Sequence, residues 1–161
     1  MKILIFSDSH GMLSFMRHCI ETVRPDAVVH LGDHYSDYQD IQEEFPQLIY
    51  YAVPGNCDLH RAVYGELEIK VPELFGVRFY MTHGHKHGVK MGLYRLLADA
   101  RAAGAQAVLY GHTHIPLCRQ EEDGLWVLNP GPATWGGGAG LITTAEGKIQ
   151  RCALLCAADL K

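Results

Sequence analysis

Five short stretches of this chain carry side chains that bind metal ions. They read Asp8-Ser9-His10, Gly32-Asp33, Gly55-Asn56-Cys57-Asp58, His83-Gly84-His85 and Gly111-His112-Thr113-His114. The donors on offer are imidazole, carboxylate and amide oxygen, with little thiolate. That mixture suits borderline and moderately hard divalent ions such as Mn, Fe, Co, Ni and Zn. The candidate ligands Asp8, His10, Asp33, Asn56, His83, His112 and His114 exceed one tetrahedral shell. Two ions sharing a bridging carboxylate is the economical arrangement, and ion pairs roughly 3.5–4 Å apart recur in phosphatases and nucleases. Two dications against Asp8 and Asp33 leave such a site positive. It could therefore hold a phosphate although the chain carries a formal charge of -4, because the ions are the largest local charges.

For these residues to meet, something must bring them from distant positions to one place. Each stretch follows an apolar run: Ile3–Phe6, Ala27–Leu31, Leu48–Val53, Val77–Met81 and Ala107–Tyr110. Read as strands, all five end in a turn bearing Asp, Asn or His, and open α/β sheets bind ligands beyond the carboxyl ends of their strands. Gly55, Gly84 and Gly111 stand beside the ligands, where tight turns and close backbone approach are needed. Helical stripes separate the runs. Leu13, Met16, Ile20 and Val23 form one, stopped by Pro25. Tyr38, Ile41 and Phe45 form another, opened by a capping-box pair, Ser36 and Gln39. Leu93, Leu96, Leu97 and Ala100 form a third, closed by Gly104. Leu67–Val71 alternates as a half-exposed strand, and Phe75-Gly76 predicts a hairpin turn. From Ile115 onward, short strands are broken at Asp123-Gly124, Gly136–Gly140 and Glu146-Gly147. The expectation is one α/β domain over residues 1–161, its two sheets sharing a core flanked by helices.

Composition narrows the function classes. Of 161 residues, 48% are hydrophobic and 20% charged, which excludes low-complexity disorder. No apolar run approaches the roughly 18 residues of a membrane helix, and the first ten residues lack the apolar stretch of a signal peptide. The five cysteines are odd in number and form no C-x-x-C pair; a cytoplasmic location is expected. Fourteen basic against eighteen acidic residues give no general attraction for nucleic acid or anionic lipid. Neither a stable nucleic-acid complex nor membrane association is expected.

The ordered set D-x-H, G-D, G-N-x-D, H-G-H and G-H-T-H resembles the calcineurin-like metallophosphoesterase superfamily, and the short length resembles its small bacterial and archaeal phosphodiesterase branch. The resemblance runs from Asp8 to the Asn129-Pro130-Gly131 turn. It implies a four-layer α/β/β/α sandwich with two facing mixed sheets and a dinuclear metal site at strand C-terminal ends. It further implies that Asp8, His10 and His114 hold one ion, that Asn56, His83 and His112 hold the second, and that Asp33 bridges them. The implied activity is hydrolysis of small or activated phosphodiesters by a metal-bridging hydroxide, with manganese the first choice of ion and nickel, cobalt, iron and zinc behind it. Asp33 and Asn56 then serve catalysis as well as metal binding. Cys57 departs from the pattern, since many relatives carry a histidine there that contacts phosphate and protonates the leaving oxygen. A thiol of ordinary pKa near 8.5 donates weakly, so good leaving groups should be cleaved much faster than poor ones.

Other residues divide more plainly. His85 fits a phosphate contact or a support for its turn. His30 fits an outer partner of the metal ligands or a satisfied core histidine. His34 is expected in a solvated loop, and His18, His60 and His87 on the surface. Lys86, Lys90, Arg95 and Arg101 are expected on a solvated helix face. Cys152 and Cys156 read as buried or edge-strand residues, and Trp126 and Trp135 as core or interface. The rival function is a catalytically weak protein-binding scaffold on the same fold, the use made of it by a retromer subunit. A nuclease acting on long polymers is the less favoured alternative. If the chain self-associates, a closed two-fold homodimer is the expected form.

Overall fold

The structure is a computed structural model and describes residues 1–58 and 68–160. In chain order its main elements are β1 (Lys2–Phe6), α1 (Leu13–Val23), β2 (Ala27–His30), α2 (Tyr35–Glu44), β3 (Ile49–Ala52), β4 (Ile69–Lys70), β5 (Glu73–Leu74), β6 (Val77–Thr82), α3 (Tyr94–Ala102), β7 (Ala107–Leu109), β8 (Leu117–Gln120), β9 (Trp126–Asn129), β10 (Ala139–Ala145) and β11 (Lys148–Leu155). Single-turn 3-10 helices cover His85–His87 and Ala157–Leu160.

Two mixed sheets result. One runs β11-β10-β1-β2-β3; the other runs β4-β6-β7-β9-β8, with β5 also paired to β6. The apolar runs form strands because both of their faces are covered. Ile3, Ile5, Ala27 and Val29 from the first sheet meet Val77, Phe79, Met81, Ala107 and Leu109 from the second in a central core. Their neighbours point outward. Leu4, Phe6 and Val28 pack on Phe15, Met16, Cys19, Ile20 and Ile41 of α1 and α2. Tyr80, Val108 and Val127 pack on Leu96, Leu97 and Ala100 of α3. Buried on both sides, such strands read as continuous apolar runs. The layers are α/β/β/α.

Register sets the level of the strand ends. Ile5 lies opposite Val29, and Val29 opposite Tyr51, in the parallel trio β1, β2, β3. Met81, Leu109 and Leu128 align likewise in the parallel trio β6, β7, β9. The carboxyl ends therefore emerge together from both sheets. The Phe75-Gly76 and Glu146-Gly147 turns each have two residues at positive φ, the geometry that matches the twist of a two-residue hairpin.

Three local expectations are corrected or sharpened. The Ser36–Gln39 capping box does not form: His34 is the N-cap, at φ 69°, and no side chain caps the helix locally. The Asp58 carboxylate replaces it from a neighbouring loop, accepting from the N–H of Tyr35 and of Asp33, each at 2.9 Å. An N-cap is worth about 1 kcal/mol, so a distant carboxylate can displace the local one. Of Leu67–Val71, only Ile69–Lys70 is strand, and Leu67 lies outside the described residues. Gly104 does close α3. At φ 67°, it donates to the Arg101 carbonyl at 2.9 Å, while Ala105 N–H reaches the Ala100 carbonyl at 3.0 Å, a Schellman ending.

Candidate metal centre

Asp8 follows β1 directly and is fully buried. Its Oδ2 accepts from the Ser7 hydroxyl at 2.5 Å and from the His112 backbone N–H at 3.2 Å. Its Oδ1 lies 2.9 Å from His114 Nε2. The His10 ring stands 5.5 Å from that of His114. Asp8, His10 and His114 each present one ligand atom, and the three atoms lie within 4.8 Å of one another.

Asp8, Asp33 and His83 make a second such group. His83 is fully buried, with Nδ1 2.7 Å from the Leu31 carbonyl oxygen. That carbonyl can only accept, so Nδ1 carries a proton, and Nε2 is the ring nitrogen turned inward. There it meets Asn56 Oδ1 at 3.1 Å and Asp33 Oδ2 at 3.5 Å. Ligand-type atoms of three residues converge there, as they would about a cation. Ligating histidines characteristically donate their other N–H to a carbonyl in this way. The His112 ring closes the far side, 5.0 Å from that of His83. The two groups share Asp8, and Asp33 lies within the second.

Charge states fit this donor set. Burial alone would push Asp33 up, but His83, the Cys57 N–H and thiol, and His10 outweigh it and hold the carboxyl below its ordinary range. Burial, then neighbouring His83, lowers both His85 and His112. Neutral imidazole is the form that ligates metal. The residues present therefore suit a divalent pair.

Residues that touch no metal-facing atom hold the ligands in place. Asp58 accepts from Gly55 N–H at 2.7 Å as well as from Asp33 and Tyr35, tying the loops after β2 and β3 together. Asn129, at the end of β9, donates to the Gly111 carbonyl and to Thr113 Oγ1 and accepts from Gly131 N–H. Asp37 of α2 accepts from Ser9 Oγ and Gly11 N–H, each at 2.7 Å. The sequence motifs include Asp58 and Asn129 but gave them no role; the G-N-x-D and N-P-G spacings were the available signal. Gly111 and Gly55 permit close approaches at the ligands. A Cβ on Gly111 would sit 1.9 Å from Ser7 Oγ, and one on Gly55 would sit 2.1 Å from Asp33 Oδ1.

The backbone is strained where the ligands sit. Nine described non-glycine residues have positive φ, and six of them are Asp8, His10, Asp33, His34, His112 and His114. Unfavourable dihedrals concentrate at functional sites, where surrounding contacts over-determine them.

The remaining candidates are placed as follows. Cys57 is exposed, and its backbone N–H donates to Asp33 Oδ1 at 2.9 Å. Desolvation, then the Asp33 carboxylate, raises its thiol pKa. The His85 ring is 5.6 Å from that of His83; among the described residues neither of its nitrogens is hydrogen-bonded, and the Glu68 carboxylate stands 4.0 Å from Nε2. His30 is a satisfied core histidine: it is buried, meets Ser9 Oγ at 3.0 Å through Nε2 and accepts from Gly32 N–H, both neighbours of proposed ligands. His34 is not a solvated loop residue; it is half-buried, its ring centre 5.0 Å from that of His10 in an edge-on arrangement. His87 is not a surface residue either. It is buried, with Nε2 3.0 Å from the Tyr80 hydroxyl, because the turn at His85–His87 folds it under α3. His18 is half-buried against Trp135, and His60 lies outside the described residues. Lys86, Lys90, Arg95 and Arg101 are exposed, but only Arg95 and Arg101 lie on a helix, α3; Lys86 sits in the 3-10 turn at His85–His87 and Lys90 in the turn after it, so the four do not share a helix face. Cys152 is half-buried against Cys118 and Cys156 is exposed. Trp126 packs on the central core; Trp135 packs on Phe15 and stays partly exposed. Among the described residues, no helix is long and apolar enough to cross a membrane.

Comparison with known proteins agrees with this geometry. A crystal structure from Streptococcus pneumoniae, of a conserved protein described as a "predicted phosphoesterase", superposes with a TM-score of 0.76 at 25% identity, covering 96% of this chain and 88% of that one. Vps29 from Entamoeba histolytica, crystallised in complex with Zn2+, shares the fold with a TM-score of 0.71 at 19% identity over 96% and 98% of the two chains. The Bacillus subtilis protein named "Probable metallophosphoesterase YsnB" is 33% identical over 137 residues, 81% of this chain and 74% of its own length. The family model for the calcineurin-like phosphoesterase superfamily domain matches residues 1–150, and the chain belongs to that superfamily.

Proposed function

We propose that the chain hydrolyses small phosphodiesters with two divalent cations, one held by Asp8, His10 and His114, the other by Asn56, His83 and His112, with Asp33 common to both. The observation that carries this reading is the convergence of buried His83 Nε2 with Asn56 Oδ1, at 3.1 Å, and Asp33 Oδ2, at 3.5 Å. When bound, the ions supply Lewis acidity and acidify water enough for attack on phosphorus near neutral pH. Manganese is the first ion to test, followed by nickel, cobalt, iron and zinc.

The chain's own residues do the rest. Asp33, ionised and fixed by the Cys57 N–H, sets the separation of the two ligand groups. Asn56 adds a donor oxygen without adding negative charge, so the site keeps its attraction for phosphate. His85, its pKa lowered by burial and its nitrogens without a hydrogen bond among the described residues, donates an N–H to a phosphate oxygen. Cys57 is exposed next to Asp33 and stays protonated. It protonates the leaving oxygen weakly, so aryl oxides leave readily and alkoxides slowly.

The test combines Asp33→Asn with metal removal and return. Asparagine keeps an acceptor for the Cys57 N–H, so the fold should persist by circular dichroism while turnover of an activated diester falls to background. Chelation should stop the parent protein, and manganese should restore it. A near-normal rate in the variant, or one indifferent to thorough metal removal, overturns the reading. The rival is a protein-binding role on the same fold without turnover. Metal content does not separate the two, because these ligands suit ions in either case; turnover of a small diester does.

A further inference from the structure

Beside the metal centre runs an open groove of about 440 Å³, lined by Val89, Lys90, Leu93, Tyr110, Thr113, Ile115 and Leu117. It adjoins the site: Thr113, in its lining, stands between His112 and His114 in the chain. Its size falls in the roughly 300–1,000 Å³ range of small-molecule pockets. Its wall is apolar, and Ile115 is 68% exposed on it. Nothing in the chemistry assigned to the metal ligands uses it.

The polar groups in the groove are few and largely committed. Thr113 Oγ1 already accepts from Asn129 Nδ2 at 2.9 Å and from Ile115 N–H at 3.2 Å. Tyr110 is buried, and its hydroxyl is engaged with Asn129. Lys90 is the cation at the groove. A sugar or glycerol group laid here would give up hydrogen bonds to water that the wall does not replace. A hydrocarbon or aromatic ring would lose none and would shed water from apolar surface.

We propose that this groove binds the retained organic substituent of the substrate, and that the substituent is apolar: the preferred substrate is a phosphodiester bearing an aryl or comparable hydrocarbon group. The inference rests on the phosphodiesterase reading above and adds the substrate class. A diester carries one negative charge and two organic groups. One group leaves; the other needs a place beside the ligands, with a single ammonium for the anionic oxygen. Lys90 and the apolar wall match that pattern. A monoester has no second group to fill the groove.

The test holds the leaving group constant. Manganese-loaded protein is assayed with methyl p-nitrophenyl phosphate and phenyl p-nitrophenyl phosphate, each corrected for its rate in water. The phenyl ester should show a kcat/KM higher by about tenfold or more, the gain from burying a ring-sized apolar group. Ile115→Ser, at an exposed position, should cut that ratio several-fold while the methyl ester is cleaved as before. In metal-free protein, NMR methyl signals of Val89, Ile115 and Leu117 should shift with diphenyl phosphate and not with dimethyl phosphate. Equal kcat/KM for the two esters, both being cleaved, overturns the groove and leaves the phosphodiesterase reading standing. No turnover of either ester, with the diphenyl shifts present, overturns the phosphodiesterase reading and supports the groove as an aryl phosphate site. Shifts of the same signals with protein concentration alone would show a second copy of the chain seated there and would overturn the proposal.

Discussion

His30 shows how one buried side chain links the site to stability. It is enclosed between β2 and the loop after β1, and burial lowers its pKa to about 4, with Asp37 and Asp58 only partly opposing. The unfolded chain, with an ordinary histidine near 6.5, takes up a proton first as pH falls. The stabilising contribution is therefore complete above about pH 6.5 and is lost progressively down to about pH 4, a loss of about 3 kcal/mol. Asp33, held below its ordinary range, pulls the same way at lower pH. Urea titrations of the metal-free protein at pH 7.5 and pH 4.5 should show a marked fall in the midpoint. His30→Gln should be less stable at pH 7.5 but lose less between the two conditions. An unchanged pH dependence in that variant would remove His30 from this role.

At the scale of elements, the two ligand groups depend on loops from both sheets touching one another. Gly111, after β7, lies against Ser7 and Asp8, after β1. Gly111→Ala would drive a methyl into the Ser7 hydroxyl and the Asp8 carboxylate. Overpacking costs typically about 1–3 kcal/mol, and here the strain falls on a ligand. Calorimetry should find a lower melting temperature and a disproportionate loss of manganese affinity; unimpaired affinity would show that the loops adjust independently. Arg24 is the opposite case. It ends α1 at φ 51°, is exposed, and takes no part in the site. Arg24→Gly relieves a left-handed residue and should stabilise the protein by about 1 kcal/mol, read as a raised urea midpoint at unchanged turnover.

For the whole molecule, the prediction concerns linkage. Ions that bind only the folded chain stabilise it, by about 2.7 kcal/mol at a hundredfold excess over Kd. For a chain of this length that is a rise in melting temperature of about 5–10 °C. Manganese added to chelator-treated protein should produce such a rise by differential scanning calorimetry, and Asp33→Asn should lose most of it. A parent protein whose melting is indifferent to every divalent ion would not contain the proposed centre.

Much of this molecule was legible in its residues. The strands could be read because burial on two faces leaves uninterrupted apolar runs, and the site could be read because each run ends in ligand-type side chains. What escaped depends on partners far away in the chain. Asp58 caps a helix that starts more than twenty positions earlier, so Ser36 and Gln39 were given a task the fold hands to another loop. His87 is buried by the turn that places His85, and no local pattern separates it from an exposed neighbour. Asn129 braces Gly111 and Thr113 across two strands, a relation that exists only once β7 and β9 lie side by side.

The left-handed backbone at six site residues has an implication for engineering. Glycine would relax every one of those positions, yet five of them, Asp8, His10, Asp33, His112 and His114, are proposed ligands that cannot be removed without removing the chemistry, and Asp8 and His114 also hold each other. Durability and catalysis thus compete for the same few dihedral angles. Attempts to toughen this protein by glycine scanning will find their gains at exposed Arg24 and Glu146, remote from the centre, and their losses wherever relaxation reaches the proposed ligands.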